Sequence, residues 1–184
     1  MNFKYTVILM NFFLLVLSFK VMSDNEGTKK IGSYEKWSVY AKSKSLCYII
    51  AQPEKSEGEY TLRGRVRIVV YRNNLENKNK NVVGIDFGYS FTENSKAFIE
   101  IDNKKKFKLN TFGQTAWTGT KTKKDKKIIE AMIEGDKLIA FGQSKRGTKT
   151  KDTYSLNGFA KALNKINDYC SWVNWEKTYT IHHF

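Results

Sequence analysis

Histidine is scarce in this sequence, and its scarcity removes most of the familiar catalytic chemistry. Only two of the 184 residues are histidines, His182 and His183, and they are neighbours at the C-terminus. Adjacent side chains of an extended chain point to opposite faces, so the two make a poor pair of metal ligands. A serine or cysteine nucleophile would need one of them as its base. We therefore expect no catalytic residues, no metal and no cofactor, and we interpret the chain as not an enzyme.

Long apolar runs are also scarce. The longest, residues 5–19, is shorter than the roughly 20 residues that cross a bilayer. It follows a basic start and precedes small residues ending at Ser23, an order that is typical of a secretory signal. We predict a signal peptide over 1–23 and a periplasmic, secreted or cell-surface protein with no stable transmembrane span after cleavage. A retained anchor is the alternative, which Asn11 and Lys20 make less favourable.

The remainder of the chain has the length of one ordinary domain. Residues 24–33 are polar and charged, which indicates a flexible leader. Residues 34–172 are expected to form a single β-rich domain, and 173–184 a C-terminal tail. No internal repeat divides this domain.

The chain has two cysteines, and the prediction of export decides how we interpret them. Cys47 lies in an apolar, strand-like run, and Cys170 ends an apparent helix, so both are expected to point inward. Outside the cytoplasm such thiols oxidise and persist as a bridge. Closing a loop of more than 100 residues would stabilise the fold by up to about 4 to 5 kcal/mol. Two buried, unpaired thiols remain the alternative.

Short alternating runs dominate the sequence and predict a mostly β protein. Such runs, bounded by Gly, Asn or Lys, favour an antiparallel β-sandwich or barrel-like domain. The single proline, Pro53, is expected to end the second strand because it cannot donate to a ladder. The predicted strands cover 35–40, 45–51, 65–71, 82–87, 97–101, 106–112, 138–144 and 149–154.

Two segments have helical spacing instead. One is a short helix, which Asp125 is placed to cap and Gly135 to end. The other is a C-terminal amphipathic helix from Leu156 to Cys170, capped by Ser155 and packed on the sheet. The predicted apolar face of the short helix consists of Ile128, Ile129, Met132 and Ile133.

The formal net charge of +14 indicates an anionic partner without naming it. Three of the five arginines, Arg63, Arg65 and Arg67, recur at a spacing of two and would line one face of a strand. Guanidinium groups bind phosphate or carboxylate bidentately. A second cluster at a predicted turn contains Lys145, Arg146, Lys149 and Lys151. The three arginines together with Lys145, Arg146 and Lys149 are the candidate anion-binding residues; a charged face that keeps the protein soluble is the alternative.

Four carboxylates that are near one another in sequence offer the one route to acid–base chemistry. A hydrolase using them would need at least two in a deep pocket with raised pKa values. Carboxylates solvated in turns and at strand edges are the simpler interpretation. The four residues are Asp86, Glu93, Glu100 and Asp102.

Several stretches match a known family in identity and in order, most specifically over residues 146–159. On these residues the chain resembles the invasion-associated locus B family over nearly the whole mature chain. It departs from the family at Ser90, where proline is expected, and in carrying lysine where the family often has arginine. The matching stretches are WSVY at 37–40, Cys47 with AQP at 51–53, GY at 88–89 with Phe91, AW at 116–117, AMIEGDK at 131–137, GQSKRGT at 142–148, and DTYSLNGF at 152–159 through to Cys170.

The resemblance implies a small exported protein of Gram-negative bacteria with a β-rich fold and a C-terminal helix. Some family members are linked to entry into host cells, and no enzymatic activity or cofactor is established for them. We therefore expect a non-catalytic envelope or secreted binding protein that supports host-cell association or invasion. Its partner would be an envelope or host-surface macromolecule and no specific nucleic acid. The alternative is a periplasmic stress or assembly factor that binds envelope proteins.

Overall fold

The computed structural model describes residues 27–73, 80–93, 95–118 and 122–170. The predicted signal peptide and the two histidines lie outside these ranges, and so does the tail predicted over 173–184. Those expectations therefore stay predictions.

The described residues form eleven strands and two helices, so the prediction of a mostly β protein is confirmed. The strands are β1 (Lys29–Tyr34), β2 (Trp37–Ala41), β3 (Leu46–Ala51), β4 (Lys55–Glu57), β5 (Arg67–Asn73), β6 (Lys80–Asp86), β7 (Lys96–Ile101), β8 (Lys105–Phe112), β9 (Thr115–Trp117), β10 (Lys137–Gln143) and β11 (Lys149–Ser155). The helices are α1 (Thr122–Glu134) and α2 (Phe159–Tyr169).

All eleven strands belong to one antiparallel sheet that curls into a half-barrel, which confirms the barrel-like prediction. The strand order is β1-β2-β3-β5-β6-β9-β8-β7-β10-β11-β4. Only residues 52–54 connect β3 to β4, although eight strand spacings, roughly 40 Å in a flat sheet, separate them in that order. Such a short link spans at most about 14 Å, so the sheet must curl back on itself. The Glu54 N–H accordingly donates to the Thr153 carbonyl on β11 at 2.8 Å.

The core fills the inside of this curl. Side chains alternate between buried and partly exposed along β2, β3, β7 and β11, as expected when one face of a sheet packs on a core. The largest fully buried side chains include Trp37, Tyr154, Phe87 and Phe159. Helix α2 packs on β1, β2 and β3, with the Phe159 ring edge-on to Trp37 at a centroid distance of 4.9 Å. The amphipathic helix therefore packs on the sheet as predicted.

A disulfide joins β3 to the end of α2. Cys47 and Cys170 are bonded with their Cα atoms 6.1 Å apart, across a sequence separation of 123. No cysteine in the described part of the chain is left unpaired. The predicted bridge is confirmed, and it ties the C-terminal helix to the sheet.

Helix α1 begins three residues before the predicted cap, so the capping role assigned to Asp125 is wrong. The Asp125 carboxylate is buried instead and accepts hydrogen bonds from the Val83 N–H at 3.1 Å and from the Thr118 hydroxyl. Burial raises the pKa of Asp125. Ile133 is 48% exposed, so its place on the apolar face is also wrong. The buried face consists of Ile128, Ile129, Ala131 and Met132.

Ser155 does not cap α2, because β11 continues through it, paired with Lys137. Gly158 precedes the helix in the left-handed region, with φ of +85°. A Cβ at Gly158 would lie 2.5 Å from the Tyr34 carbonyl oxygen. Glycine is needed here because the start of the helix lies directly against the end of β1.

Three strands escape the sequence pattern. Most of β1 lies within the segment expected to be a flexible leader, because this polar edge strand lacks apolar alternation and is defined by its pairing with β2. Strands β4 and β9 have three residues each, too few to show a period. Partner strands brought in by the fold, and not local sequence, therefore decide all three.

Candidate functional site

A cavity of about 840 Å³ opens where three connecting segments meet at one end of the curled sheet. The segments are the loop between β4 and β5, the link that follows β6, and the turn between β10 and β11, with one residue from the β8–β9 turn. The lining residues are Glu59, Tyr60, Thr61, Leu62, Arg63, Tyr89, Ser90, Gln114, Ser144, Lys145, Arg146, Thr148 and Thr150.

A buried ion pair holds the first of these segments in place. Arg63 donates to both carboxylate oxygens of Asp152, at 2.7 and 2.6 Å, and its Nε donates to the Phe87 carbonyl at 2.8 Å. The Ser56 hydroxyl donates to the same carboxylate at 2.7 Å. The side chain of Arg63 is 5% exposed and that of Asp152 is fully buried. Bidentate pairing of this kind combines energy with fixed geometry, so it anchors the β4–β5 loop to β11.

Two tyrosines enclose the Arg63 guanidinium. Its central carbon lies 5.1 Å from the centroid of the Tyr89 ring and 5.3 Å from that of Tyr60, within cation–π range. Burial alone would lower the pKa of Arg63. The hydrogen bonds to Asp152 and its negative charge outweigh this effect, so the pKa of Arg63 is raised. Burial likewise raises the pKa of Tyr89 to about 12, so this phenol is neutral and shares a 2.7 Å hydrogen bond with the Thr150 hydroxyl.

Glycines make the close contacts that form this end of the sheet. The Gly64 N–H donates to the Gly88 carbonyl at 2.8 Å. Gly88 has φ of +69°, and a Cβ there would lie 2.5 Å from the Gly64 carbonyl oxygen. On β10, a Cβ at Gly142 would lie 2.4 Å from the Tyr89 hydroxyl, so the missing side chain makes room for the ring. The Tyr89 ring therefore depends on glycines in two neighbouring segments.

Two cations from the predicted basic cluster reach this cavity. Lys145 and Arg146 are exposed in the β10–β11 turn, and the Lys145 N–H donates to the Ser90 carbonyl at 2.8 Å. Within the described ranges neither side chain forms an ion pair. The fold brings them to the same cavity as Arg63, more than 80 residues away in sequence. Lys149, the third member of the cluster, is exposed at the start of β11 and does not line the cavity.

The predicted arginine stripe is wrong as a strand face. Strand β5 begins only at Arg67, so Arg63 and Arg65 precede it. The contact between Gly64 and Gly88 interrupts the extended alternation, and the three side chains diverge. Arg63 turns inward to its carboxylate, Arg65 is exposed, and Arg67 pairs with Asp86 at 2.5 Å.

The four carboxylates considered for acid–base chemistry lie apart from the cavity lining. Asp86 is paired with Arg67. Asp102 lies in the β7–β8 turn with φ of +52° and accepts the Lys137 N–H at 2.9 Å. Glu93 is exposed, and Glu100 is partly exposed on β7. None of the four therefore lines the cavity, where a hydrolase of the kind considered would need at least two of them.

Sequence reasoning missed Asp152 as the anchor of the site. Its signal was present: along β11 the buried positions are Thr150, Asp152 and Tyr154, so a carboxylate occupies the inward register of an alternating strand. A buried carboxylate requires a partner. That rule predicts an inward-pointing cation, but it does not identify Arg63.

Metal and membrane features were also sought in the part of the chain that the structure describes. There, no three histidine, cysteine or acidic side chains come together as metal ligands. Neither α1 nor α2 has the length and apolar character needed to cross a bilayer.

Comparison with known proteins identifies a family for this chain. A family model described as "Invasion associated locus B (IalB) protein" matches residues 37–167, which include the whole lining of the cavity. Neither the curated proteins nor the solved structures contain a significant match.

Proposed function

Since the chain belongs to the invasion associated locus B family, we propose that it is a non-catalytic binding protein of the bacterial envelope or cell surface that supports host-cell association. The family match carries this proposal, because it covers 131 of 184 residues and the family is described as invasion associated. Membership of this family supports an invasion-associated, exported protein. The binding role and the surface location are the proposed steps.

The disulfide supports export. Bridges of this kind form and persist in oxidising compartments and are rare in the cytosol. The bridge between Cys47 and Cys170 closes most of the domain and is buried at both ends. Such a cross-link stabilises a protein that has to stay folded outside the cell.

The cavity supports binding. Its most buried charged group, Arg63, is already committed to Asp152, so the pair shapes the wall. The groups left to face a ligand are hydroxyls, an amide, two phenols, two cations, one carboxylate and the Leu62 side chain, and most of them suit hydrogen bonds and ion pairs. Polar groups that converge on a concave site can fix the orientation of a ligand there.

The proposal is tested by surface accessibility together with gene deletion. Intact bacteria are treated with a protease that cannot cross the outer membrane, and the protein is followed by immunoblot with a periplasmic control. We expect it to be cleaved while the control survives, and we expect deletion to lower the number of bacteria attached to or inside host cells. A fully protected protein with unchanged host association would overturn the proposal and favour a periplasmic assembly factor.

A further inference from the structure

We propose that the 840 Å³ cavity binds an acidic sugar, with its anionic group against Lys145 and Arg146 and its ring against Tyr60. This inference rests on the proposed binding function and names the class of ligand. The anionic group can be a carboxylate, a sulfate or a phosphate, because all three present the same oxygens to a cation.

The distribution of charge argues for one anionic group on the ligand. Arg63 is neutralised by Asp152, so Lys145 and Arg146 are the cations that remain to face a ligand. They are adjacent in one short turn, which concentrates positive charge at one side of the cavity. Glu59 also lines the cavity, and it would repel a second anionic group.

The uncharged lining argues for a polyhydroxylated ligand. Several hydroxyls and one amide line the cavity, and each can donate and accept hydrogen bonds. A site for an apolar ligand would instead be lined mainly by hydrophobic side chains. The groups are those of Thr61, Ser90, Gln114, Ser144 and Thr148.

One aromatic ring supplies a flat apolar surface at the mouth. Tyr60 is 38% exposed, and the Arg63 guanidinium lies 5.3 Å from its centroid, which orients the ring. The C–H groups of a sugar ring pack on such a face while its hydroxyls stay in water. Leu62, 91% exposed on the same loop, adds apolar surface beside it. The cavity volume lies within the range of about 300–1,000 Å³ for small-molecule sites, so a short saccharide fits.

The test uses matched sugars that differ in the acidic group. Purified protein is titrated by calorimetry with sialyllactose and with lactose, and with N-acetylglucosamine 6-phosphate and N-acetylglucosamine. We expect each acidic sugar to bind at least tenfold more tightly than its neutral partner. Tighter binding of sialyllactose would point to a host glycan, and tighter binding of the phosphosugar to a bacterial envelope glycan. Equal affinity for acidic and neutral members would overturn the inference.

Charge-matched variants separate the cavity from general basicity. The Lys145→Gln/Arg146→Gln double variant should lose about tenfold in affinity for the acidic sugar. The control, Lys123→Gln/Lys127→Gln, removes the same charge from the exposed side of α1 and should bind like the wild type. If both double variants lost the same affinity, the binding would be nonspecific electrostatic attraction and the assignment to the cavity would be wrong.

A third pair of variants tests the ring. Tyr60→Ala should weaken the acidic and the neutral sugar alike by about fivefold, whereas Tyr60→Phe should retain binding to both. If Tyr60→Ala kept the full affinity for both sugars, the Tyr60 ring would not be part of the binding site. The inference fails alone if no sugar binds while deletion still lowers host association. The proposed function fails alone if acidic sugars bind in the cavity while deletion leaves host association unchanged.

Discussion

Two regions of the curled sheet are held together by different physical means. In the first, α2 lies on β1, β2 and β3 through apolar contacts such as Trp37 with Phe159, and the Cys47–Cys170 bridge closes it covalently. In the cavity region, the segments are held by the Arg63–Asp152 pair and by backbone contacts between glycines. A covalent loop acts mainly on the unfolded chain, which it constrains. A buried ion pair acts in the native state, where it selects one geometry.

This difference implies that the α2 region contributes mainly to stability, whereas the cavity region fixes the shape of a surface. Apolar packing tolerates many side chains of similar volume, and the bridge adds stability without defining a surface. The cavity region tolerates few substitutions, because each buried charged or close-packed group there needs its own partner. Three sets of variants and one pH titration test this division.

Removal of the bridge should have the largest effect on stability. In Cys47→Ser/Cys170→Ser, the loop across 123 positions is no longer closed in the unfolded chain, so the free energy of unfolding should fall by about 4 to 5 kcal/mol. Urea titration under oxidising conditions measures this. The cavity should keep its ligand affinity at temperatures where the variant stays folded. An unchanged midpoint would contradict the stabilising role of the bridge.

Removal of the buried carboxylate should have the next largest effect. Asp152→Ala leaves the Arg63 guanidinium buried without its counter-charge, which should cost about 3 to 4 kcal/mol of unfolding free energy. The double variant Arg63→Met/Asp152→Ala should recover part of that loss, because no unpaired charge remains. Both variants should lose the cavity. If the double variant were no more stable than the single one, the pair would not act as a unit.

Gly88→Ala tests the glycine contact that joins two walls of the cavity. Its φ of +69° and the 2.5 Å approach to the Gly64 carbonyl should together cost about 2 kcal/mol. Gly113→Ala is a matched control, since Gly113 has a similar φ of +57° but open space around it. Thermal melts of the two variants separate the steric part from the backbone part. Equal losses would assign the whole effect to backbone conformation.

Alkaline titration tests the burial of Tyr89 and carries the smallest effect. Its pKa is about 12 in the folded protein against an ordinary 10.0, so its neutral form is favoured by folding. The stability it contributes is fully present below pH 10 and is lost as the pH rises towards 12. Tyr89→Phe should therefore reduce the loss of stability between pH 10 and 12. Burial also raises the pKa of Tyr154, so part of the pH dependence of stability should remain in this variant.

Much of the fold follows from local sequence, and most of the site does not. Alternation predicted eight strands close to their observed bounds, because side chains that face a core must recur every second residue. The cavity could not be found in this way, because its walls come from segments separated by up to 91 positions, Glu59 to Thr150. Lys145 and Arg146 were identified by charge alone, and Arg63 was identified for the wrong reason.

The β-rich class, the terminal amphipathic helix and the family follow from the sequence alone, which favours the cysteine bridge that the structure confirms. These properties depend on the periodicity, composition and motifs of the sequence. Each of them can be recognised from residues that are close together in the chain or from their match to a family pattern. The folded structure is needed to know which charged side chains are paired and which are free. The curl of the sheet brings Asp152 to Arg63 and leaves Lys145 and Arg146 facing the cavity. Ion pairing depends on distance in space, and distance along the chain does not determine it.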